Sequence, residues 1–315
     1  MELRHLRYFV AVAEELNFTR AAERLGIKQP PLSLQIRQLE KEMGTQLFRR
    51  RTRGVELTGA GKLMLEDARV ILKQIEKAKT GVRRRARGET GQLIVGSAGA
   101  TYFQPLIPAI IREYGMQYPD VILAPQASNT ALLVARLCAG QIDVAFIWRP
   151  TADSDGVSTE PLVDEDTLIV LPTGHALGNS ASAPLAALAG ETFVLFPRAL
   201  NPSGYDSIIA ACQRAGFSPV LGQEAPQVVS VMPLVAAGLG VSIVPRSASR
   251  ILVDGVGFLS IEGDAPRMEI SLAYRRHDRS AVVQNFVAVA RAVRKAALIL
   301  LSQKVAGLGR SDSGN

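Results

Sequence analysis

Between residues 29 and 41 the chain carries Gln29, Ser33, Gln35, Arg37, Gln38 and Lys41, spaced so that one side of a helix presents amides, a hydroxyl and cations together. Such groups can hydrogen-bond to base edges in a major groove, whereas a merely solvated helix face is usually richer in Glu and Lys. A cluster of guanidinium groups follows, Arg49, Arg50, Arg51 and Arg53. It suits phosphates, which add affinity without sequence information. Farther on, Gly99-Ala100-Thr101-Tyr102 and Ser128-Asn129-Thr130 stand where candidate strands give way to candidate helices. Free N–H groups with hydroxyls at a helix start favour a carboxylate or other anion, although the same residues serve equally as simple caps. No Walker loop, nucleophile elbow or paired-carboxylate signature stands out. Two cysteines, Cys138 and Cys212, and three histidines give neither zinc-ligand spacing nor a disulfide framework, so no metal or cofactor is expected. Both cysteines sit among small apolar residues and read as buried and inert rather than as a redox pair.

The first set of side chains has to be held by the stretch from Asn17 to Phe48. Asn17 or Thr19 can cap a short helix in which Ala21, Ala22 and Leu25 form the apolar face. Gly26 breaks it, and Pro30 and Pro31 stand in the first turn of the next helix, where a missing N–H costs nothing. Leu32, Ile36, Leu39 and Met43 then continue an apolar stripe. Two such helices joined by a tight turn are a helix-turn-helix. Leu3, Leu6, Phe9, Val10, Val12 and Ala13 predict a covering first helix, and the arginines around Gly54 predict a two-stranded wing. Thr58 caps a longer helix to about Arg87, where Met64, Ala68, Ile71, Ile75, Ala78 and Val82 repeat at four and three. That narrow seam implies a partner helix, and nearly thirty residues at ~1.5 Å each give a rod of roughly 40 Å.

Charge divides the same way. Residues 1–90 hold 20 Lys and Arg against 11 Asp and Glu, net +9, while residues 91–315 hold 16 against 18, net −2. A basic N-terminal third is the footprint of a nucleic-acid module. The first fifteen residues lack a cleavage site and do not read as a signal peptide, so a cytoplasmic protein is expected. The uncharged run Ala225–Pro245 is interrupted by Pro233, Gly238 and Gly240, and reads as a helix followed by a buried strand rather than a membrane span.

The segments LRYFVAVAEELNFTRAAERLGI, QPPLSLQIRQLEKEMGTQLFRR and LTGAGKLML resemble, in order and spacing, the N-terminal region of the LysR-type transcriptional regulators. The PPLS form resembles most the branch that controls aromatic-acid catabolism. The resemblance implies that Gln29, Pro30, Ser33 and Leu34 face the groove; Thr19, Arg20, Pro31 and Arg37 are further DNA-binding candidates beside them, with Arg49, Arg50, Arg51 and Arg53 on phosphates as read above. Two departures stand out: Lys28 precedes Gln29 where a small residue is usual, and Leu34 replaces an Arg, leaving an apolar contact to a thymine methyl.

From Gly91 onward strands and helices alternate, which predicts an α/β domain with a mainly parallel sheet. Strands are expected at Leu93–Gly96, Val121–Pro125, Ile142–Trp148, Leu168–Leu171, Phe193–Phe196, Val220–Gly222, Val241–Val244 and Met268–Tyr274, and a helix at Val282–Leu300. The segments GQLIVGSAG, AGQIDVAF and LVAAGLGVSIVP extend the resemblance and imply two subdomains like those of periplasmic solute-binding proteins. The whole is then a winged helix-turn-helix (1–58), a linker and dimerisation helix (59–87), a hinge (88–91), an effector-binding domain (92–302) and a tail (303–315). Subdomain I takes about 92–160 and 267–302, subdomain II about 161–266. The resemblance places Ala100, Thr101, Thr130, Arg149 and the Pro202-Ser203-Gly204-Tyr205 loop in the effector cleft, to which the loop chemistry above adds Tyr102, Ser128 and Asn129, with Gln227 facing Arg149. Ala100 stands where the branch has a serine, and Gln227 where a glutamate can face Arg149, so Arg149 is expected to be free for an effector carboxylate. Trp148 is either core or a cleft wall.

Expected partners are duplex DNA, a small carboxylate or aromatic acid, further copies of the chain as dimer and tetramer, and RNA polymerase. Two other readings remain at this stage. The cleft could belong to an enzyme or solute-binding protein whose N-terminal helices serve assembly, or the chain could be an architectural DNA binder with no effector.

Overall fold

The structure is a computed structural model, and it describes residues 1–51, 54–149 and 156–311. Arg53 lies outside the described residues. The chain forms two compact units, Met1–Arg84 and Arg85–Asn315.

The first unit begins with α1 (Leu3–Glu15), α2 (Phe18–Leu25) and α3 (Gln29–Met43). Asn17 caps α2, its side-chain oxygen accepting from the backbone N–H groups of Thr19 and Arg20 at 2.9 and 3.1 Å. Thr19 therefore lies inside the helix and is not the cap. Gly26 ends α2 in the left-handed conformation, φ 69°, which favours glycine. Leu32, Ile36 and Leu39 are buried against Leu6, Phe9, Val12, Ala21 and Ala22. Met43, placed on that stripe by its spacing, is instead 39% exposed in the last turn of α3. The wing is the antiparallel pair β1 (Phe48–Arg51) and β2 (Gly54–Leu57), anchored in the core by Phe48 and Val55.

Thr58 does cap the long helix α4 (Gly59–Ala86), accepting from Gly61 N–H at 2.9 Å. Its seam is not uniform. Ala68 is fully buried and Met64 half-buried, and both pack into the core of their own unit with Leu65 and Leu72. Ile71, Ala78 and Val82 are exposed, and Ile75 is half-buried. The first turns of α4 thus close the reading domain, and only the later positions are left open to a partner helix.

The second unit comprises β3 (Gly91–Ala98), α5 (Leu106–Gln117), β4 (Val121–Ser128), α6 (Thr130–Cys138), β5 (Val144–Trp148), β6 (Val157–Pro172), β7 (Ser182–Pro184), β8 (Thr192–Leu195), α7 (Pro202–Arg214), β9 (Val220–Glu224), α8 (Val231–Ala236), β10 (Ser242–Pro245), β11 (Val256–Glu262), β12 (Arg267–Arg275) and α9 (Ala281–Ser311). The sheet is mixed rather than mainly parallel. β3 runs parallel to β4 and β5, but β12 is antiparallel to both β5 and β6, and β6 is antiparallel to β10 and β11. Alternation of strand and helix signals βαβ units but is silent on a strand that enters the sheet from far along the chain. β6 belongs to both lobes. Its first part pairs with β12 in the lobe of β3, β4 and β5, and its last residues pair with β10 and β11 in the other lobe. Strands β7 and β11 were not expected, and α9 continues to Ser311, past the expected end at Leu300. The run Ala225–Pro245 is α8 followed by buried β10, and among the described residues no helix is long and apolar enough to cross a membrane.

Candidate DNA-reading face and effector cleft

On the reading face, Gln29 Nε2 donates to Ser33 Oγ at 2.7 Å, one turn apart at the start of α3. Pro30, Pro31, Arg37, Gln38 and Lys41 are exposed, as is Leu34 at 62%. Gln35 differs. It is half-buried and tied to His5 Nε2 at 2.8 Å, so it is not one of the freely solvated groups the spacing suggested.

The arginines sort by their partners. Arg24 and Arg69 both pair with Glu14, whose carboxyl is held below the usual range chiefly by the Arg69 hydrogen bond. Arg20 donates to the Glu15 carbonyl at 2.6 Å, so it is engaged on the protein rather than free. In the wing, strand register sets Glu56 opposite Arg49, and Glu56 pairs with Arg51 at 2.8 Å and Arg49 at 3.6 Å. That pairing lowers the Glu56 carboxyl, Arg51 contributing most. Lys28, Arg37, Lys41 and Arg50 are the exposed cations left without an ion pair among the described residues of this face.

In the second unit a cavity of about 360 Å³ opens between the two lobes. Ala98, Gly99, Ser128, Asn129 and Trp148 line it from one lobe, and Leu200, Pro226 and Gln227 from the other. It is built at the carboxyl ends of β3, β4 and β5, where ligands bind in such sheets. Asn129 caps α6 through Leu132 N–H at 2.8 Å, bringing the positive end of that helix to the cleft. Trp148 is 2% exposed, and among the described residues its indole Nε1 has no partner; nor does the Oγ1 of Thr130, which is 5% exposed. Trp148 is therefore both core and wall.

Of the residues expected in the cleft, Ser128, Asn129 and Gln227 line this cavity. Ala100 and Thr101 are buried beneath it, and the Thr101 hydroxyl is engaged with Ser97 Oγ at 2.8 Å. Burial raises the Tyr102 phenol, whose OH is also without a partner. Arg149 and Ser203 line a separate cavity of about 240 Å³ on the far side of Trp148. The expectation of a free Arg149 fails, since its guanidinium pairs with Glu269 Oε2 at 3.3 Å. Glu269 lies on β12, whose place beside β5 no local pattern announced. Pro202 to Tyr205 form the first turn of α7 rather than a loop. Asn201 caps that turn, and Tyr205 packs edge-on against Phe196. Ser203 Oγ donates to the Arg149 carbonyl at 2.6 Å, linking the lobes.

The cysteines divide: Cys212 is buried, and burial pushes its thiol up to about 11, whereas Cys138 is exposed at the end of α6, contrary to the buried reading. Its neighbour Leu137 is buried, but Ala139 is exposed beside Cys138, so apolar neighbours in sequence did not mean burial.

Comparison with known proteins adds the following. Residues 3–62 match the family described as bacterial regulatory helix-turn-helix protein, lysR family, and residues 86–295 match the LysR substrate binding domain. The chain is 38% identical over 287 residues to the HTH-type transcriptional regulator BudR of Raoultella terrigena, covering 91% of this chain and 99% of that protein. It is 38% identical over 284 residues to the regulator CatR of Pseudomonas putida, covering 90% and 96%. Full-length CbnR complexed with its target DNA superposes with a TM-score of 0.79 at 31% identity, covering 93% of this chain and 100% of that one. A helix-turn-helix with its reading face open, joined to a two-lobed cleft domain, is the organisation of transcriptional regulators rather than enzymes, and this chain belongs to the LysR family.

Proposed function

We propose that α3 reads base edges in the major groove through Gln29, Ser33, Leu34 and Arg37, that Arg50 and its wing neighbours hold phosphates, and that the inter-lobe cleft takes a small carboxylate effector. Two chains pair through the later turns of α4, and dimers associate into tetramers. Effector binding alters the closure of the lobes, and with it the angle between reading heads and the bend in the DNA. RNA polymerase is the downstream partner, and the protein works in the cytoplasm.

The observation that carries the effector reading is a pair of buried groups with no partner among the described residues, the indole N–H of Trp148 in the cavity wall and the hydroxyl of Thr130, which follows the lining residue Asn129 at the start of α6. A buried donor without a partner is costly, and a ligand acceptor removes that cost. Among the described residues the lining contains no charged side chain, so the positive end of α6 rather than Arg149 would balance a carboxylate. Trp148 is the sole tryptophan of the chain, so its emission reports on the cleft directly. Titrating the intact protein with small carboxylates is expected to change that emission saturably and to raise Tm in parallel, because a ligand that binds only the folded state stabilises it. Emission and Tm unmoved by every carboxylate tried, but moved by neutral or cationic solutes, would contradict the assignment.

For the reading face, base contacts are worth ~1–3 kcal/mol apiece, on a phosphate term that weakens steeply with salt. Ser33→Ala is expected to relax sequence preference, and Arg50→Ala to weaken all duplexes alike. Measured on a panel of single-base variants of a bound duplex, equal loss of discrimination in both would remove this division of roles.

A further inference from the structure

His5 is only 1% exposed, in the first turn of α1, yet it bonds to two different elements. Its Nδ1 lies 3.2 Å from the backbone nitrogen of Glu2, and its Nε2 lies 2.8 Å from Oε1 of Gln35 in α3. A backbone N–H can only donate, so Nδ1 accepts and carries no proton. The neutral ring then holds its proton on Nε2, which donates to Gln35. Gln35 Oε1 is thereby occupied, and the other end of the carboxamide, Nε2, can only donate. A glutamine left to itself can present either end to a partner; this one has its polarity fixed by a chain of bonds that starts at an unambiguous donor.

Gln35 also sits in a particular place on α3. The buried residues Leu32, Ile36 and Leu39 define the core side, and Leu34, Arg37 and Lys41 the open side. At about 100° per residue, Gln35 falls between them, on the flank nearest α1. A donor on the flank of a reading helix meets the wall of a groove rather than its floor, and the wall is phosphate.

We propose that the Glu2–His5–Gln35 relay makes Gln35 a dedicated hydrogen-bond donor to a phosphate oxygen of duplex DNA, with His5 as its positioning residue. The inference rests on α3 lying in a groove, as proposed above.

The test uses the full-length chain and two duplexes, one enriched from a random-sequence pool by the unchanged protein and one a scramble of it, with affinities from fluorescence anisotropy. Gln35→Met keeps the length of the side chain and removes the donor. It is expected to weaken both duplexes by about tenfold, as loss of a hydrogen bond to a charged group does, and to lower Tm somewhat, because the buried His5 Nε2–H loses its acceptor. His5→Gln places an N–H close to the position of Nε2 and is expected to bind within about twofold of the unchanged chain. His5→Asn leaves an acceptor for Glu2 but falls short of Gln35, and is expected to lose as much as Gln35→Met. A merely structural role for His5 would move Tm and not separate these two variants. Gln35→Met binding both duplexes as before, a loss confined to the enriched duplex, or His5→Gln as weak as His5→Asn would each overturn the proposal. An unchanged protein that holds both duplexes equally sinks the groove reading and the relay with it; a discriminating protein indifferent to Gln35→Met sinks the relay alone.

Discussion

Glu165 shows at the scale of one residue how burial and charge conflict. It is 6% exposed in β6, with Oε1 accepting from Ser247 N–H at 2.5 Å and Oε2 without a partner. Burial raises its carboxyl above the usual range. The native state therefore holds this proton more tightly than the unfolded chain does. Its contribution to stability is fully present below the ordinary carboxylate range and is lost as pH rises through the raised value. Glu165→Gln, which retains an acceptor for Ser247 and cannot ionise, is expected to raise Tm at pH 7 and to leave it nearly unchanged near pH 4. A variant less stable at neutral pH would show that the ionised form is held by more than the Ser247 bond. Nothing in the sequence marked Glu165, since its burial depends on neighbours such as Ser247, 82 residues away. Trp148 was half legible: its run IDVAFIW announced a buried strand, but whether the last residue of that strand meets core or cavity depends on the opposite lobe.

At the scale of elements, α4 carries the lesson. The repeat Met64, Ala68, Ile71, Ile75, Ala78, Val82 is continuous in sequence, but its two ends stand in different surroundings. Ala68 is at 0% exposure in the core of the reading domain, and Val82 is at 71%. A heptad and an amphipathic helix differ by only about 20° per seven residues, so spacing does not reveal where one becomes the other. Ala68→Leu is expected to cost about 1–3 kcal/mol by overpacking, seen as a lower Tm of the N-terminal unit. Ile75→Glu or Val82→Glu is expected to leave that Tm in place and to shift the chain toward monomer in sedimentation velocity, since a charge on a narrow seam opposes pairing. Variants that stay fully associated would assign the pairing surface to another part of the chain. The helix-turn-helix was the most legible element because its determinants are local: a capping Asn17, a left-handed Gly26, prolines in a first turn and a stripe of apolar residues. The ion pairs of the wing were not, because Glu56 meets Arg49 and Arg51 only through strand register.

For the whole molecule, the alternation of strands and helices was enough to give an α/β architecture of two lobes, and family resemblance gave the cleft. Strand direction was beyond reach, because β12 comes to lie between β5 and β6 from more than a hundred residues away, and local periodicity carries no memory of such pairings. The same nonlocality redistributed the site: Arg149 has its charge met by Glu269 on β12, and the cleft is left with dipoles and hydroxyls.

β6 runs unbroken for 16 residues and takes part in the sheets of both lobes. A strand shared in this way acts as a common axle. Melting either lobe strips hydrogen bonds from the strand that frames the other, so neither can be lost alone. Calorimetry of the C-terminal unit within the intact chain should accordingly record both lobes in one endotherm, and a substitution buried in one lobe should soften the hinge felt by the ligand in the other.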